Sequence, residues 1–186
     1  MRLILASNSP RRKELLKNAH LDFVVISSDY EEKSFSLDPI ETAKSFAKGK
    51  AESVFNALET KTDAIVLGAD TVVFLDDTIL GKAKSKSDAV KMLKRLSGKT
   101  HTVITGYYIK TVEASYSGCV KTDVTFNDLD DDVINAYVDS GLYEGKAGSY
   151  GIQDSFPLVK CYEGSLSNVI GLPVEVVVPI LKKLLK

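Results

Sequence analysis

Residues 2–16, Arg2-Leu3-Ile4-Leu5-Ala6-Ser7-Asn8-Ser9-Pro10-Arg11-Arg12-Lys13-Glu14-Leu15-Leu16, set the pattern for the whole chain. The apolar run 2–6 reads as a short buried strand, and Ser7-Asn8-Ser9-Pro10 turns the chain into a helix. Ser9 suits the N-cap and Pro10 the first helical position, because proline lacks the N–H that would go unpaired there. Arg11 and Arg12 then stand beside a helix start that already carries unpaired N–H groups and a partial positive charge. An anion would offset that repulsion, and a donor-rich strand-to-helix turn is a ready phosphate site. The competing reading is a capped surface helix with solvated arginines.

Outward from this segment, strands and helices alternate without internal repeats, which predicts an α/β fold. Residues 23–26 read as a second strand, 27–38 as a polar, acidic loop containing Glu31 and Glu32, and Pro39 as a helix start. Ile40, Ala43, Phe46, Ala47, Ala51, Val54, Phe55 and Leu58 then form one apolar stripe. Residues 64–67 read as a fully apolar strand, and 71–75 run into a hairpin turn at Asp76-Asp77. An amphipathic helix over 86–96 precedes two β-rich runs, 101–112 and 116–126. Asp130-Asp131-Asp132 reads as the acidic start of a helix rather than a metal site. A Gly-rich loop, a strand near 158–159, another loop and a helix over 173–185 complete the chain.

Composition narrows the function classes. At 186 residues the chain fits one domain, 1–186, with a sizeable core. Its 24 Lys+Arg against 25 Asp+Glu leave a net charge of −1. That argues against broad nucleic-acid binding but leaves room for a local basic pocket. Cys119 and Cys161 match no metal spacing and are too few for a disulfide framework, so buried free thiols are expected. No apolar stretch is long enough to span a membrane, and the N-terminus lacks a signal-peptide core, which together predict a cytosolic protein.

Ser97-Gly98-Lys99-Thr100 mimics the tail of a phosphate-binding P-loop, but Leu93 stands where that motif needs glycine. It reads instead as a helix-ending turn with Gly98 at the C-cap. Gly68-Ala69-Asp70-Thr71 places a carboxylate inside an otherwise apolar run. Such a group is costly unless paired or bound to a cation, although a turn aspartate bonded to its own backbone is the bland alternative. Lys82, after a second short strand, can return towards Asp70 across the hairpin. Residues 144–153 crowd glycines among polar groups, which permits close ligand approach or merely tight turns.

These pieces together resemble the Maf family of nucleoside triphosphate pyrophosphatases. The resemblance rests on Ser7-Asn8-Ser9-Pro10-Arg11-Arg12, Glu31, Ala47-Lys48-Gly49-Lys50-Ala51, Gly68-Ala69-Asp70-Thr71 and Gly81-Lys82. It continues through Leu96-Ser97-Gly98-Lys99-Thr100-His101, Thr105-Gly106, Lys146-Ala147-Gly148-Ser149-Tyr150-Gly151-Ile152-Gln153 and Asn168-Val169-Ile170-Gly171-Leu172-Pro173. Ala83 departs from the family, which usually has proline after Gly-Lys.

The resemblance implies a mixed α/β fold with an elongated central sheet flanked by helices, and a nucleotide cleft between two lobes. It implies hydrolysis of a nucleoside triphosphate between its α and β phosphates, as removal of surplus or non-standard pyrimidine nucleotides. Arg11, Arg12, Lys50 and Lys82 would form the cationic set, with Ser7 as a further donor. Asp70 would accept the proton of the attacking water, and Glu31 would assist it or bind metal. Which carboxylate plays which part stays open. A divalent cation, Mg²⁺ by default, would be held by Glu31 and Asp70, since octahedral Mg²⁺ bridges substrate phosphates and few carboxylates. Pro10-Arg11-Arg12 with Thr71 and Gln153 resembles the branch acting on dTTP and UTP, and a glutamine amide can match a pyrimidine edge. His20 and His101 are isolated and read as structural. Two other readings compete: a nucleotide-binding regulator of cell division without essential turnover, and a nucleic-acid module built on Arg11-Arg12-Lys13. The oligomeric state is left open, and a homodimer is compatible with everything above.

Overall fold

A computed structural model describes residues 1–32 and 38–186. Residues 33–37 of the expected acidic loop lie outside the described residues. The elements, in chain order, are β1 (Arg2–Leu5), α1 (Pro10–Asn18), β2 (Val24–Val25), α2 (Pro39–Ala57), β3 (Ala64–Leu75) and β4 (Thr78–Leu80). They continue with α3 (Lys86–Leu96), β5 (Thr100–Lys110), β6 (Ser115–Phe126), α4 (Asp131–Asp139), β7 (Val159–Glu163), α5 (Leu166–Ile170) and α6 (Val174–Leu184). The expected mixed α/β architecture is what forms. One sheet runs β2-β1-β3-β5-β6-β7, with β4 hydrogen-bonded to β3 beside β1. β1 is parallel to β2 and β3, and the other pairings are antiparallel.

Helices cover both faces of the central strands, which is why residues 3–5 of β1 and 64–67 of β3 are all apolar rather than alternating. Leu3, Leu5, Ile65 and Leu67 pack with Leu16 and Leu181, on the side of α1 and α6. Ile4, Ala6, Ala64 and Val66 pack with Ala47, Ala51 and Val54 of α2 on the other. A second core lies at the far end of the long strands, where Val73, Val103, Val124 and Phe126 meet α3 and α4 through Leu93, Ile134 and Tyr137. These two ends are the lobes, and the long strands β3 and β5 run through both.

The local signals perform as expected at most helix starts. Ser9 Oγ accepts from Arg12 N–H at 3.5 Å and Pro10 begins α1. Asp38 caps α2 through Ile40 N–H, and Asp130 caps α4 through Val133 N–H. Asp76 and Asp77 take φ of 47° and 58°, the left-handed pair of a tight hairpin turn. Gly98, at φ 68°, ends α3 beside the surface pair Lys99–Asp76, far from any phosphate role.

Three expectations are corrected. β3 is one unbroken strand of twelve residues, so the separate runs expected at 64–67 and 71–75 are joined and the alternative of a turn aspartate at Asp70 does not form. Gly68 serves packing: a Cβ there would lie 2.2 Å from the Ala47 carbonyl oxygen, and at Gly106 2.4 Å from that of Ala43. α2 therefore crosses the sheet in direct backbone contact with β3 and β5. Secondly, the cysteines are free, but Cys161 is exposed on an edge strand and Cys119 only half-buried. Thirdly, a short helix, α5, occupies what reads as loop, because five residues cannot display a helical period.

Candidate active site

The site opens where β3 loses its neighbour. β1 pairs with β3 only as far as Leu67, and β4 takes up the same side of β3 again at Val73. Between them, residues 68–72 of β3 have no adjoining strand on that side among the described residues. The chain leaves the sheet there because Pro10 starts α1 only five residues after β1 ends. A cleft of about 440 Å³ fills the gap, walled by the β1–α1 turn, α1, Lys50 of α2, Lys82 and the 144–153 loop.

Successive β3 residues point to opposite faces, which divides the labour at this gap. Asp70 faces α2, beside Gly68 and opposite Gly106, where the absent side chains let Lys50 come down onto it. Lys50 Nζ lies 2.5 Å from Asp70 Oδ1 and 2.7 Å from Glu32 Oε1. Asp70 is 7% exposed. Burial pushes its carboxyl above the ordinary range, with Lys50 and Arg12 opposing. Burial also pushes Glu32 upward, but the hydrogen bond and charge of Lys50, with Lys82 and Arg12 behind, hold its carboxyl below the usual value.

Thr71 faces the other way, towards α1. Arg12 spreads its guanidinium over three partners: Nε donates to Gly171 O at 2.8 Å, Nη1 to Ser7 Oγ at 3.2 Å and Nη2 to Thr71 Oγ1 at 3.1 Å. Arg11 Nη2 reaches Gly145 O at 3.4 Å. Burial lowers the pKa of both arginines, a sign of desolvated charge that an anion would relieve.

Lys50 and Lys146 are paired with carboxylates, the latter with the buried Asp154. Among the described residues Arg11, Arg12 and Lys82 make no ion pair within 4 Å, so three cations face one cleft with only longer-range help from Asp70, Glu32 and Asp154. Lys82 is held there by a backbone bridge to Ala147. The 144–153 loop is tightly shaped: Gly145, Gly148 and Ser149 have φ of 67°, 67° and 63°. Ser149 is not glycine, so its left-handed backbone is strained, as is common next to a functional site.

Of the residues expected at the site, Ser7, Arg11, Arg12, Lys50, Asp70, Thr71, Lys82 and Gln153 all line this cleft. Glu31 does not. It is exposed, and its neighbour Glu32 turns to Lys50 instead. The two share one acidic run, and the loop's path, which no spacing encodes, decides between them. His101 is buried against Tyr150, with Nε2 2.7 Å from the phenol oxygen, as a structural histidine would be.

A buried carboxylate held by a lysine, facing three cations without ion pairs across a strand edge, is chemically suited to receiving a polyphosphate and activating a water beside it. The chain belongs to the Maf family, whose profile, described as Maf-like protein, matches residues 2–184. A dTTP/UTP pyrophosphatase of Thermoanaerobacter sp. is 44% identical over 98% of this chain and 96% of its own length. Another from Pyrococcus furiosus is 44% identical over 97% and 94%, and one from Bacillus velezensis 43% identical over 98% and 96%. A solved nucleoside-triphosphatase / dITP/XTP pyrophosphatase of Mycobacterium abscessus aligns with 69% of this chain and 76% of its own, at 13% identity and a TM-score of 0.42. No described helix is long and apolar enough to cross a membrane.

Proposed function

We propose that this chain hydrolyses nucleoside triphosphates, dTTP and UTP foremost, to the monophosphate and pyrophosphate. The observation that carries the reading is the meeting of Asp70 and Lys50 with the unpaired Arg11, Arg12 and Lys82 in one cleft. Attack by water at the α-phosphorus needs a base at the water and positive charge where the leaving pyrophosphate gains negative charge. Asp70 is the base. Its raised pKa makes the carboxylate a stronger proton acceptor, while Lys50 at 2.5 Å helps keep it ionised until the water arrives. Arg11, Arg12 and Lys82 receive the phosphates, and the guanidinium forks suit paired oxygens.

The residues also fit a divalent cation, Mg²⁺ in this reading. Asp70 and Glu32 both place an oxygen within 2.7 Å of the same lysine nitrogen, so two carboxylates already converge on one positive centre. Mg²⁺ with one or two carboxylates and substrate phosphates is its usual protein environment. Asp70 and Glu32 would hold it, Glu32 in the place the sequence assigns to Glu31, and it would supply further charge neutralisation at the phosphates. Gln153, on the rim of the cleft, is the base-reading residue. Its amide offers a donor and an acceptor to a pyrimidine edge that presents a carbonyl beside an N–H.

Product analysis tests the reading. Incubation of dTTP with the protein and Mg²⁺ is expected to give dTMP and pyrophosphate in equal amounts. Production of dTDP and inorganic phosphate would place attack at the γ-phosphate and overturn it.

A further inference from the structure

Asn168 is wholly buried, yet it lies in a helix of five residues and touches none of the groups assigned above. Its side chain is fully engaged. Oδ1 accepts from Thr105 N–H at 3.1 Å, and Nδ2 donates to Val103 O at 3.1 Å and to Thr122 Oγ1 at 2.9 Å. These bonds tie α5 to β5 and β6. A buried polar network of this kind is stabilising only when every member is satisfied, and this one is.

Two routes lead from that anchor to Arg12. The first is direct: Gly171, the residue after α5, offers its carbonyl to Arg12 Nε. The second runs through two hydroxyls, and proton counting gives it a direction. Thr105 Oγ1 donates its single proton to the backbone carbonyl of Asn168 at 2.9 Å, which the Asn168 side chain holds in place by tying α5 to β5 and β6. In its 2.9 Å contact with Thr71 Oγ1 it must therefore accept. Thr71 spends its own proton on Thr105 and turns a lone pair to Arg12 Nη2. Arg12 has five donors, of which three are used on Gly171, Ser7 and Thr71, leaving one on each terminal nitrogen for a ligand.

We propose that Asn168 and Thr105 are positioning residues that aim the Arg12 guanidinium, with Thr71 kept as an acceptor by the chain behind it. This rests on the reading of Arg12 as a hydrogen-bond donor to phosphate. A positioning role is separated from a structural one by asking whether the effect disappears when Arg12 is absent.

The experiment measures kcat and KM for dTTP, together with Tm, for Thr105→Val and Asn168→Ser in two backgrounds, native and Arg12→Ala. In the native background kcat/KM is expected to fall about 5- to 20-fold for either change, less than outright loss of a hydrogen bond to a charged group, because Arg12 keeps its direct partners and loses only their alignment. In the Arg12→Ala background the same changes should cost less than about 2-fold. In the native background Thr105→Ser, which keeps the hydroxyl, should retain native kinetics. Equal losses in both backgrounds would overturn the proposal, as would a folded Thr105→Val or Asn168→Ser enzyme with native kinetics. So would collapse of both variants, with Tm lowered by more than about 10 °C, which would make the network purely structural. An Arg12→Ala enzyme with undiminished turnover overturns this inference and the functional reading together. A loss on Arg12→Ala alone overturns only this one.

Discussion

Replacing Asp70 by asparagine separates chemistry from stability, because the two are expected to move in opposite directions. The amide can still accept from Lys50 but cannot take a proton from water, so turnover should fall on the order of 10² to 10⁴, about 3–5 kcal/mol in the barrier. Stability follows from the raised pKa of this buried carboxyl. A carboxyl whose folded pKa exceeds its unfolded value contributes stability below the ordinary carboxylate range and loses it as pH rises through the folded value. At neutral pH the ionised Asp70 therefore costs the fold something, and asparagine removes that cost. Lys50 is not stranded by the change, since Glu32 remains 2.7 Å away. The expected Tm at pH 7 is unchanged or higher. Pyrophosphate release from dTTP and a thermal melt on the same preparation are sufficient. Retention of more than about a third of native turnover would show that Asp70 is not the base. A fall in Tm of more than about 5 °C would refute the electrostatic argument, leaving the activity loss without meaning.

Other outcomes follow from the same geometry. Gly106→Ala brings a Cβ to 2.4 Å from the Ala43 carbonyl, so α2 must lift; a loss of about 1–3 kcal/mol in urea unfolding is expected, with turnover reduced because Lys50 rides on α2. An unchanged unfolding midpoint would contradict the backbone contact. Gln153→Ala is expected to lower the preference for dTTP and UTP over GTP in specificity constants while leaving Tm alone. A uniform loss on all substrates would make Gln153 a brace for its loop. His101 has its pKa lowered from 6.5 to about 4, mainly by burial, so the unfolded chain takes up its proton first. Stability present above pH 6.5 is then lost as pH falls towards 4, by about 3 kcal/mol, and His101→Gln should flatten that part of the urea midpoint against pH. A native slope in the mutant would assign the loss to other groups.

Much of this could be read from residue types because the signals were local. Ser9-Pro10, Asp38-Pro39 and the aspartates at 130–132 mark helix starts by capping chemistry, and the structure puts helices there. Cations and carboxylates that fall far apart in the chain were grouped through family resemblance, and the fold brings nearly all of them into one cleft. What stayed hidden depends on contacts across the chain. Gly68 looks like a turn residue until α2 is laid against it. Glu31 and Glu32 are chemically identical neighbours, and only the path of the loop selects the one that meets Lys50. Asn168 fell in a family motif that gave it no role, since a buried asparagine in a short helix looks like a loop residue until its partners Thr105, Val103 and Thr122 are seen. Thr105 also matched a family motif without a role, because its contact with Thr71 exists only once β5 is paired with β3.

The early end of β1 has a consequence for how this fold tolerates change. Edge backbone left without a neighbour is usually a hazard, since it invites another chain to pair with it. Here the bare stretch of β3 is only five residues long and sits between β1 and β4, under α1 and the 144–153 loop, where a second molecule's strand has no room to dock. Lengthening the β1–α1 turn by even two strand-forming residues would let β1 zip further along β3 and close over Asp70 and Thr71. The turn over residues 6–9 thus keeps an opening clear: the chain enters α1 instead of running on beside Asp70 and Thr71.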